Sequence, residues 1–264
     1  MPNDDFLQRN INSLPYFRGF LRAIEARFYQ RFQLEEPVLD LGCGDGQFVE
    51  VTFNAKLNVG IDPWTAPVQE AAGRDVYDCV LQTTGDSIPF EDGHFATIIS
   101  NSVLEHIPDL DPVIQEAARV LKSNGLFLFC VPNHQFLNNL SISSFFDRIH
   151  LKFLGNAYRG FFNRISRHYH CDSPEIWKER LMAAGFVIDE YWHYFSPKAL
   201  HTLEWGHYFG LPSWILHAIT GKWILAPQPW NLWLTRKIVQ RFYDEDSYHQ
   251  PQGSYTFYVA RKSH

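Results

Sequence analysis

Two short runs of residue types carry chemistry before any element is assigned. The first, Val38 to Gly46, reads Val-Leu-Asp-Leu-Gly-Cys-Gly-Asp-Gly and places Gly42, Gly44 and Gly46 at alternate positions behind Asp40. Glycine lacks a Cβ, so its backbone reaches positive φ and lets a ligand approach bare N–H groups. The second run, Leu57 to Pro63, ends in Asp62, an acid spaced to accept hydrogen bonds from the two hydroxyls of a ribose. Further along stand His106 and the triplet His168-Tyr169-His170. An imidazole with an ordinary pKa of about 6.5 can take or give a proton near neutrality. A His-x-His pair can also ligate a metal, but no third ligand is identifiable from sequence, so no metal is expected.

These residues need strands and turns to hold them. Pro37 to Leu41 is a short apolar run fit for a buried strand, and Gln47 to Ala55 suits a helix start. A strand feeding a glycine turn at a helix N-terminus is a nucleotide-binding corner. A dinucleotide fingerprint would want glycine at position 47, where Gln47 stands, and this weakens a nicotinamide-dependent oxidoreductase reading.

The sequence from Asp40 to Gly46, followed by Gly60-Ile61-Asp62, resembles motifs I and II of the class I S-adenosylmethionine-dependent methyltransferases. The resemblance continues through Ile88-Pro89-Phe90-Glu91-Asp92-Gly93-His94-Phe95, through Ser100-Asn101-Ser102-Val103-Leu104-Glu105-His106-Ile107, and through Ala118 to Gly125, in order and over about half the chain. It implies an α/β, Rossmann-like, doubly wound, seven-stranded, mostly parallel sheet with the last strand antiparallel, plus helical lid insertions. It implies S-adenosylmethionine as cofactor, held by Asp40, Gly42, Cys43, Gly44, Asp62 and Pro63, by Asp86 and Ser87, and by Asn101, Ser102 and Val103. Related sequences carry an acid at the position of Thr84; Asp86 stands close enough to take over its contact to adenine. By the same resemblance His106 lies near the reacting sulfonium and is the candidate general base. His168, Tyr169 and His170 are candidates for the acceptor pocket.

Periodicity fills in the frame. Apolar positions predict helices within 6–32, a short helix over Ala66 to Gly73, and strands over Tyr77 to Gln82 and Phe95 to Ser100. Pro112 to Lys122 is helical in period, with Asp111 as N-cap and Gly125 as its stop, and Leu126 to Val131 follows as a strand. Ser173 caps a helix to Ala184, and Phe186 to Phe195 and Ser254 to Ala260 complete the strands. Two insertions, about 133–172 and 197–253, interrupt a single domain spanning 1–264. The second is rich in tryptophan, including Trp205, Trp214, Trp223, Trp230 and Trp233. Its apolar run from Leu211 to Leu234 is broken by Pro212, Lys222, Pro227 and Pro229, so one bilayer-spanning helix is excluded.

Composition narrows the partners. Hydrophobic residues at 45% and charged ones at 20% describe a globular chain, and aromatics at 16% point to an aromatic-lined cavity or interface. A net charge of −6 argues against a nucleic-acid partner, and Arg18, Arg22, Arg27 and Arg31 read as a solvated helix face. Cys43, Cys79, Cys130 and Cys171 include no Cys-x-x-Cys pair and read as small buried residues in a reducing compartment. The polar start, Met1 to Phe6, lacks a secretion pattern, so a cytoplasmic location is expected, with peripheral membrane contact open. The acceptor expected is small or medium, apolar or aromatic-bearing, with oxygen favoured over nitrogen or carbon. A lipid-linked or quinone-like acceptor met at a membrane surface is the variant that would use the tryptophans. A fold-retaining protein that binds S-adenosylmethionine without catalysis remains the other class.

Overall fold

Strands that alternate with helices and read as continuous apolar runs must be covered on both faces, and the chain satisfies that need with one sheet. The computed structural model describes residues 5–209, 220, 224 and 229–263. Its strands are β1 (Val38–Leu41), β2 (Leu57–Asp62), β3 (Tyr77–Gln82), β4 (Phe95–Asn101), β5 (Leu121–Pro132), β6 (Phe186–Tyr194) and β7 (Tyr255–Lys262), in the spatial order β3-β2-β1-β4-β5-β7-β6. Neighbours among β1 to β5 are parallel, and β7 enters antiparallel to β5, as expected. Chain order runs outward from β1 to β3 on one side and resumes at β4 on the other. The gap between β1 and β4 is therefore the switch point, where a ligand crevice opens at the strands' carboxyl ends.

The described residues group into two compact units. One, made of Tyr29–His134, Arg167–Trp192 and Tyr255–His264, carries most of the sheet. Its strands are flanked in sequence by α3 (Gln47–Thr52), α4 (Thr65–Gly73), α5 (Asp111–Val120) and α8 (Pro174–Ala183). All of β4 is buried, and Val113, Ile114 and Ala117 of α5 and Trp177 and Leu181 of α8 join Leu39, Ile61, Ile98 and Phe127 in one core.

The other unit, Met1–Phe28, Gln135–Ser166 and His193–Ser254, is helical in its described part. It holds α1 (Phe6–Ser13), most of α2 (Tyr16–Tyr29), α6 (Ser141–Arg148), α7 (Lys152–Ser166), α9 (Pro197–Phe209) and α10 (Pro229–Tyr243). Buried Glu204 of α9 ties three of these together. It accepts the backbone N–H groups of Ser141 (2.6 Å) and Ile142 (3.2 Å) at the start of α6, and the Tyr158 hydroxyl of α7 (2.8 Å). A carboxylate at a helix N-terminus satisfies donors that have no partner within the helix. Where the excursion after β6 returns, Ser254 N–H donates to Phe195 O at 3.0 Å. A Cβ on Gly253 would lie 2.4 Å from Tyr194 O, so only glycine fits there.

Several local expectations need correction. Asp111 does not cap α5: the helix begins at Asp111 itself, and the carboxylate accepts from Arg180 Nε at 2.8 Å. Ser173 occupies the capping position of α8 without a side-chain cap bond. β5 starts at Leu121 rather than Leu126, because Leu121 already pairs with Phe95 before the register shifts at Thr97. Gly125 is thus inside a strand, where a Cβ would meet Leu121 Cγ at 2.6 Å. Arg27 lies over the Tyr243 ring at 4.2 Å and Arg31 over Trp192 at 4.8 Å, so these two cover aromatic surface instead of simply facing solvent. Cys79 is exposed, because β3 is an edge strand. Trp177 and Trp192 are core, whereas Trp205, Trp230 and Trp233 are exposed. Trp214 and Trp223 lie outside the described residues. No helix among the described residues is long and apolar enough to cross a membrane.

Candidate active site

The glycine corner is set by backbone geometry. Gly42, Gly44 and Gly46 all take positive φ, at 84°, 53° and 76°. A Cβ on Gly42 would stand 2.4 Å from Val103 Cγ1, so this position closes against β4's exit. Around Gly44 nothing lies within 4 Å of the place a Cβ would take, so its backbone faces open space. The N–H groups of Gly42 and Cys43 both donate to Ile61 O at 2.9 Å, which binds the corner to β2.

Asp62 is held by that corner. Its Oδ2 accepts Gly44 N–H at 3.1 Å and its Oδ1 accepts Trp64 N–H at 3.0 Å. A carboxylate offers about four acceptor sites, so these two bonds fix its orientation and leave capacity for a ligand's hydroxyls. Pro63 and Trp64, next in the chain, are exposed.

Asp40 is buried, and burying a carboxylate requires donors. The Tyr77 hydroxyl supplies one at 2.7 Å. The ring must cross β2 to get there, and it does so over Gly60, where a Cβ would lie 3.0 Å from Tyr77 Cε1 and 3.1 Å from Cys43 Cβ. Burial, followed by the Asp40 charge, raises the Tyr77 phenol well above its ordinary pKa, so it stays a neutral donor. Burial also raises the Cys43 thiol, with Asp40 and Asp62 adding to the effect. It is no thiolate nucleophile.

The exit of β4 supplies the third wall. Asn101 is buried, and its Oδ1 accepts the Cys130 thiol at 3.2 Å. Ser102 sits at φ 54°, a backbone state uncommon for a residue with a side chain, and its N–H donates to Cys130 O at 3.2 Å. Val103 is thereby turned toward Gly42. After β3, Ser87 N–H donates to Thr84 O at 3.2 Å and Thr83 Oγ1 donates to Ser87 O at 2.7 Å, a tight loop on which Thr84, Asp86 and Ser87 are all exposed. Asp40, Gly42, Cys43, Gly44, Asp62 and Val103 therefore converge, with the Asp86 loop beyond β3's end.

His106 closes a 3₁₀ turn, Leu104–His106. Its Nδ1–H donates to Arg167 O at 3.0 Å, and its Nε2 stands 3.8 Å from Oε1 of Glu105, which is 1% exposed. Glu105 O accepts the N–H of Tyr169 at 2.8 Å and of His170 at 3.3 Å, which docks the His168-Tyr169-His170 triplet here. Within it the members diverge. The His168 ring centroid is 5.3 Å from that of His106, His170 Nε2–H donates to Ile107 O at 3.0 Å, and Tyr169 is exposed. Sequence reasoning gives Tyr77, Trp64 and Glu105 no part in the site. A glycine in β2 facing an aromatic at the start of β3 is the one pattern that could have pointed to Tyr77.

A doubly wound sheet with a positive-φ glycine corner at its switch point and an acid at the end of β2 defines a Rossmann-like fold. Residues 39–129 match the family model described as a methyltransferase domain. The chain is 36% identical over 179 residues to a sarcosine/dimethylglycine N-methyltransferase of Halorhodospira halochloris, covering 58% of this chain and 64% of that one. It is 33% identical over 140 residues to the sterol 4-C-methyltransferase strm-1 of Caenorhabditis elegans, covering 47% and 42%. Among solved structures, a methyltransferase from Thermotoga maritima described as a possible histamine N-methyltransferase superposes with a TM-score of 0.57 at 15% identity, over 94% of this chain and 91% of that one; that likeness is one of fold. Over residues 39–129 the chain carries a methyltransferase-like domain, and it is similar to the class I S-adenosylmethionine-dependent methyltransferases. It spans 40% to 64% of the length of the first curated relatives it matches.

Proposed function

We propose that the protein, read as one methyltransferase domain carrying two insertions, transfers the methyl group of S-adenosylmethionine to a small or medium, apolar or aromatic-bearing acceptor, with oxygen the favoured atom. The observation that carries this reading is the Asp62 carboxylate, locked by two backbone N–H groups beside the open face of Gly44. That open face passes a test of fit: there is room where the cofactor's amino-acid end must come close. Asp62 would grip the ribose hydroxyls, Gly42 to Gly44 would line the amino-acid end, and Asn101 to Val103 would form the floor. Asp86 and Ser87 would meet the adenine. Asp40, bonded to Tyr77, would stiffen the corner from behind. When bound, the cofactor supplies a methyl on positively charged sulfur, and the chain's task is alignment, worth about 7–11 kcal/mol when reacting atoms are well placed. His106, whose Nδ1–H is committed to Arg167 O, would take the acceptor's proton at Nε2. Its neighbours His168, Tyr169 and His170 would help bound the acceptor.

The relatives act on an amine and on a sterol by their names, so the acceptor is argued from this chain's own surfaces. A cavity of about 420 Å³ lined by Tyr16, His201, Thr202, Trp205, Thr235 and Ile238 has room for an apolar group. One observation favours a second reading, an acceptor met at a lipid surface. Along α10, Trp230, Trp233, Leu234 and Ile238 recur at helical spacing and are all exposed, with Lys237 and Arg241 beside them and no acid in the helix. A nucleic-acid acceptor is disfavoured by the net charge of −6.

Calorimetric titration with S-adenosylmethionine, its demethylated product and NAD tests the core of the proposal. Micromolar affinity for the first two and none for NAD is the expected result, with an Asp62→Ala variant weakened about 10-fold to 100-fold through loss of charge-assisted bonds. Absence of binding to either sulfur compound overturns it. Incubating cell extract with methyl-labelled cofactor then identifies what acquires the label, and binding without any labelled product would leave a non-catalytic binder.

A further inference from the structure

The sequence places Glu105 and His168 far apart, yet the fold brings one ligand atom from each of Glu105, His106 and His168 to within 4.8 Å of one another. We infer that these three side chains form a binding site for a divalent first-row transition-metal cation of the zinc class, on the loop that follows β4. This goes beyond methyl transfer and does not depend on it.

Three features support the assignment. The donor set, two imidazoles and one carboxylate, is the one that catalytic zinc sites use while keeping a coordination position open. The histidine geometry suits a ligand: His106 Nδ1–H is spent on the Arg167 carbonyl, so the remaining ring nitrogen, Nε2, is the one that approaches Glu105, at 3.8 Å. A metal-ligating imidazole is commonly oriented in this way by a carbonyl on its far side. The site is also built on backbone. The N–H groups of Tyr169 and His170 both donate to Glu105 O, which fixes the His168 segment against the turn that carries the other two ligands. Donors around a tetrahedral ion with bonds of about 2.0–2.1 Å sit about 3.4 Å apart, so closure needs side-chain movement on the order of 1 Å. His106 is 42% exposed and His168 half-buried, so both can make that movement.

His170 belongs to a different set of partners. Its Nε2–H goes to Ile107 O, and its Nδ1 lies 3.3 Å from Asp172. The sequence pair His-x-His is therefore split, and the ligands come from an adjacent Glu-His pair and one distant histidine.

An ion here would present its open position to an oxygen or nitrogen of a bound molecule and lower that atom's pKa. His106 Nε2 cannot hold the ion and accept a proton at once, so metal loading would move the task of activating an acceptor from the imidazole to the ion.

The test uses tag-free, chelator-stripped, full-length protein titrated with zinc against a chromophoric competitor. The expected result is one equivalent bound, with His106→Ala and His168→Ala each weakening affinity at least 10-fold while His249→Ala, an exposed control, does not. Long-range proton–nitrogen spectra of the imidazoles should shift at His106 and His168 on loading. Circular dichroism melts confirm that the variants fold. No stoichiometric zinc, or equal affinity in the His106→Ala and His168→Ala proteins, overturns the assignment. Titrating the same stripped samples with S-adenosylhomocysteine separates the two readings, since loss of zinc with that affinity intact sinks the metal site alone.

Discussion

The glycine corner and the outer face of α10 solve opposite problems. At the corner the important groups are backbone N–H groups and one carboxylate, each held by a named partner: Gly42 and Cys43 by Ile61, Gly44 and Trp64 by Asp62. Along α10, Leu232, Val239 and Phe242 are buried while Trp230, 76% exposed, and Trp233, 61% exposed, face outward. A surface of that kind is defined by what it will meet, and the described residues leave it open. A site made by backbone demands particular residues at particular positions. A site made by exposed side chains demands only a composition.

Breaking the corner should show the largest effect. Gly42→Ala must force a Cβ into Val103 at an unfavourable φ, and we expect about 3 kcal/mol or more of lost stability in denaturant unfolding. Gly44→Ala meets no atom and should cost only about 1–2 kcal/mol of strain, while S-adenosylhomocysteine affinity falls at least 10-fold. If the two alanine variants were equally unstable, the distinction between a closed and an open glycine would be lost.

On the other side of the comparison, replacing both Trp230 and Trp233 by alanine should weaken co-sedimentation with anionic vesicles by about 2 kcal/mol, if each ring buries part of its surface in lipid. Wild-type protein that ignores phosphatidylglycerol vesicles would remove the lipid reading and leave the corner untouched. Tyr77→Phe leaves Asp40 short of a donor, and a stability loss of about 1–2 kcal/mol in thermal melts is expected. The smallest effect concerns His207 of α9. Burial lowers its pKa below the ordinary value of about 6.5, so the unfolded chain binds a proton at higher pH than the folded one does. Its contribution is complete above that value and is lost as pH falls through the folded pKa. Melting temperatures between pH 7.5 and 5.5 should drop less steeply in His207→Gln.

The same contrast explains what could be read from the residues. Gly42, Gly44, Gly46 and Asp62 announced themselves because positive φ needs glycine and a sugar needs an acid. The parallel order of β1 to β5 and the antiparallel β7 likewise came through the ordered motifs. Partners at long range did not. Asp111 reads as a cap until Arg180 claims it, and the helical period of α5 runs on into Leu121, which pairs instead with Phe95. Tyr77 reaches Asp40 only because Gly60 leaves a gap, and that pairing of a glycine with an aromatic gains its meaning once β1, β2 and β3 lie side by side. The histidine triplet was seen, but not that one member turns to His106 and another to Ile107.

The bond from Ser254 to Phe195 means that residues 196–253 leave and return at adjoining points of the chain. Such a purse-string marks the enclosed segment as a cassette, one that takes the Glu204 anchor of α6 and α7 with it. Chimeras spliced at Phe195 and Ser254 are the direct way to learn whether a new cassette brings a new preference with it.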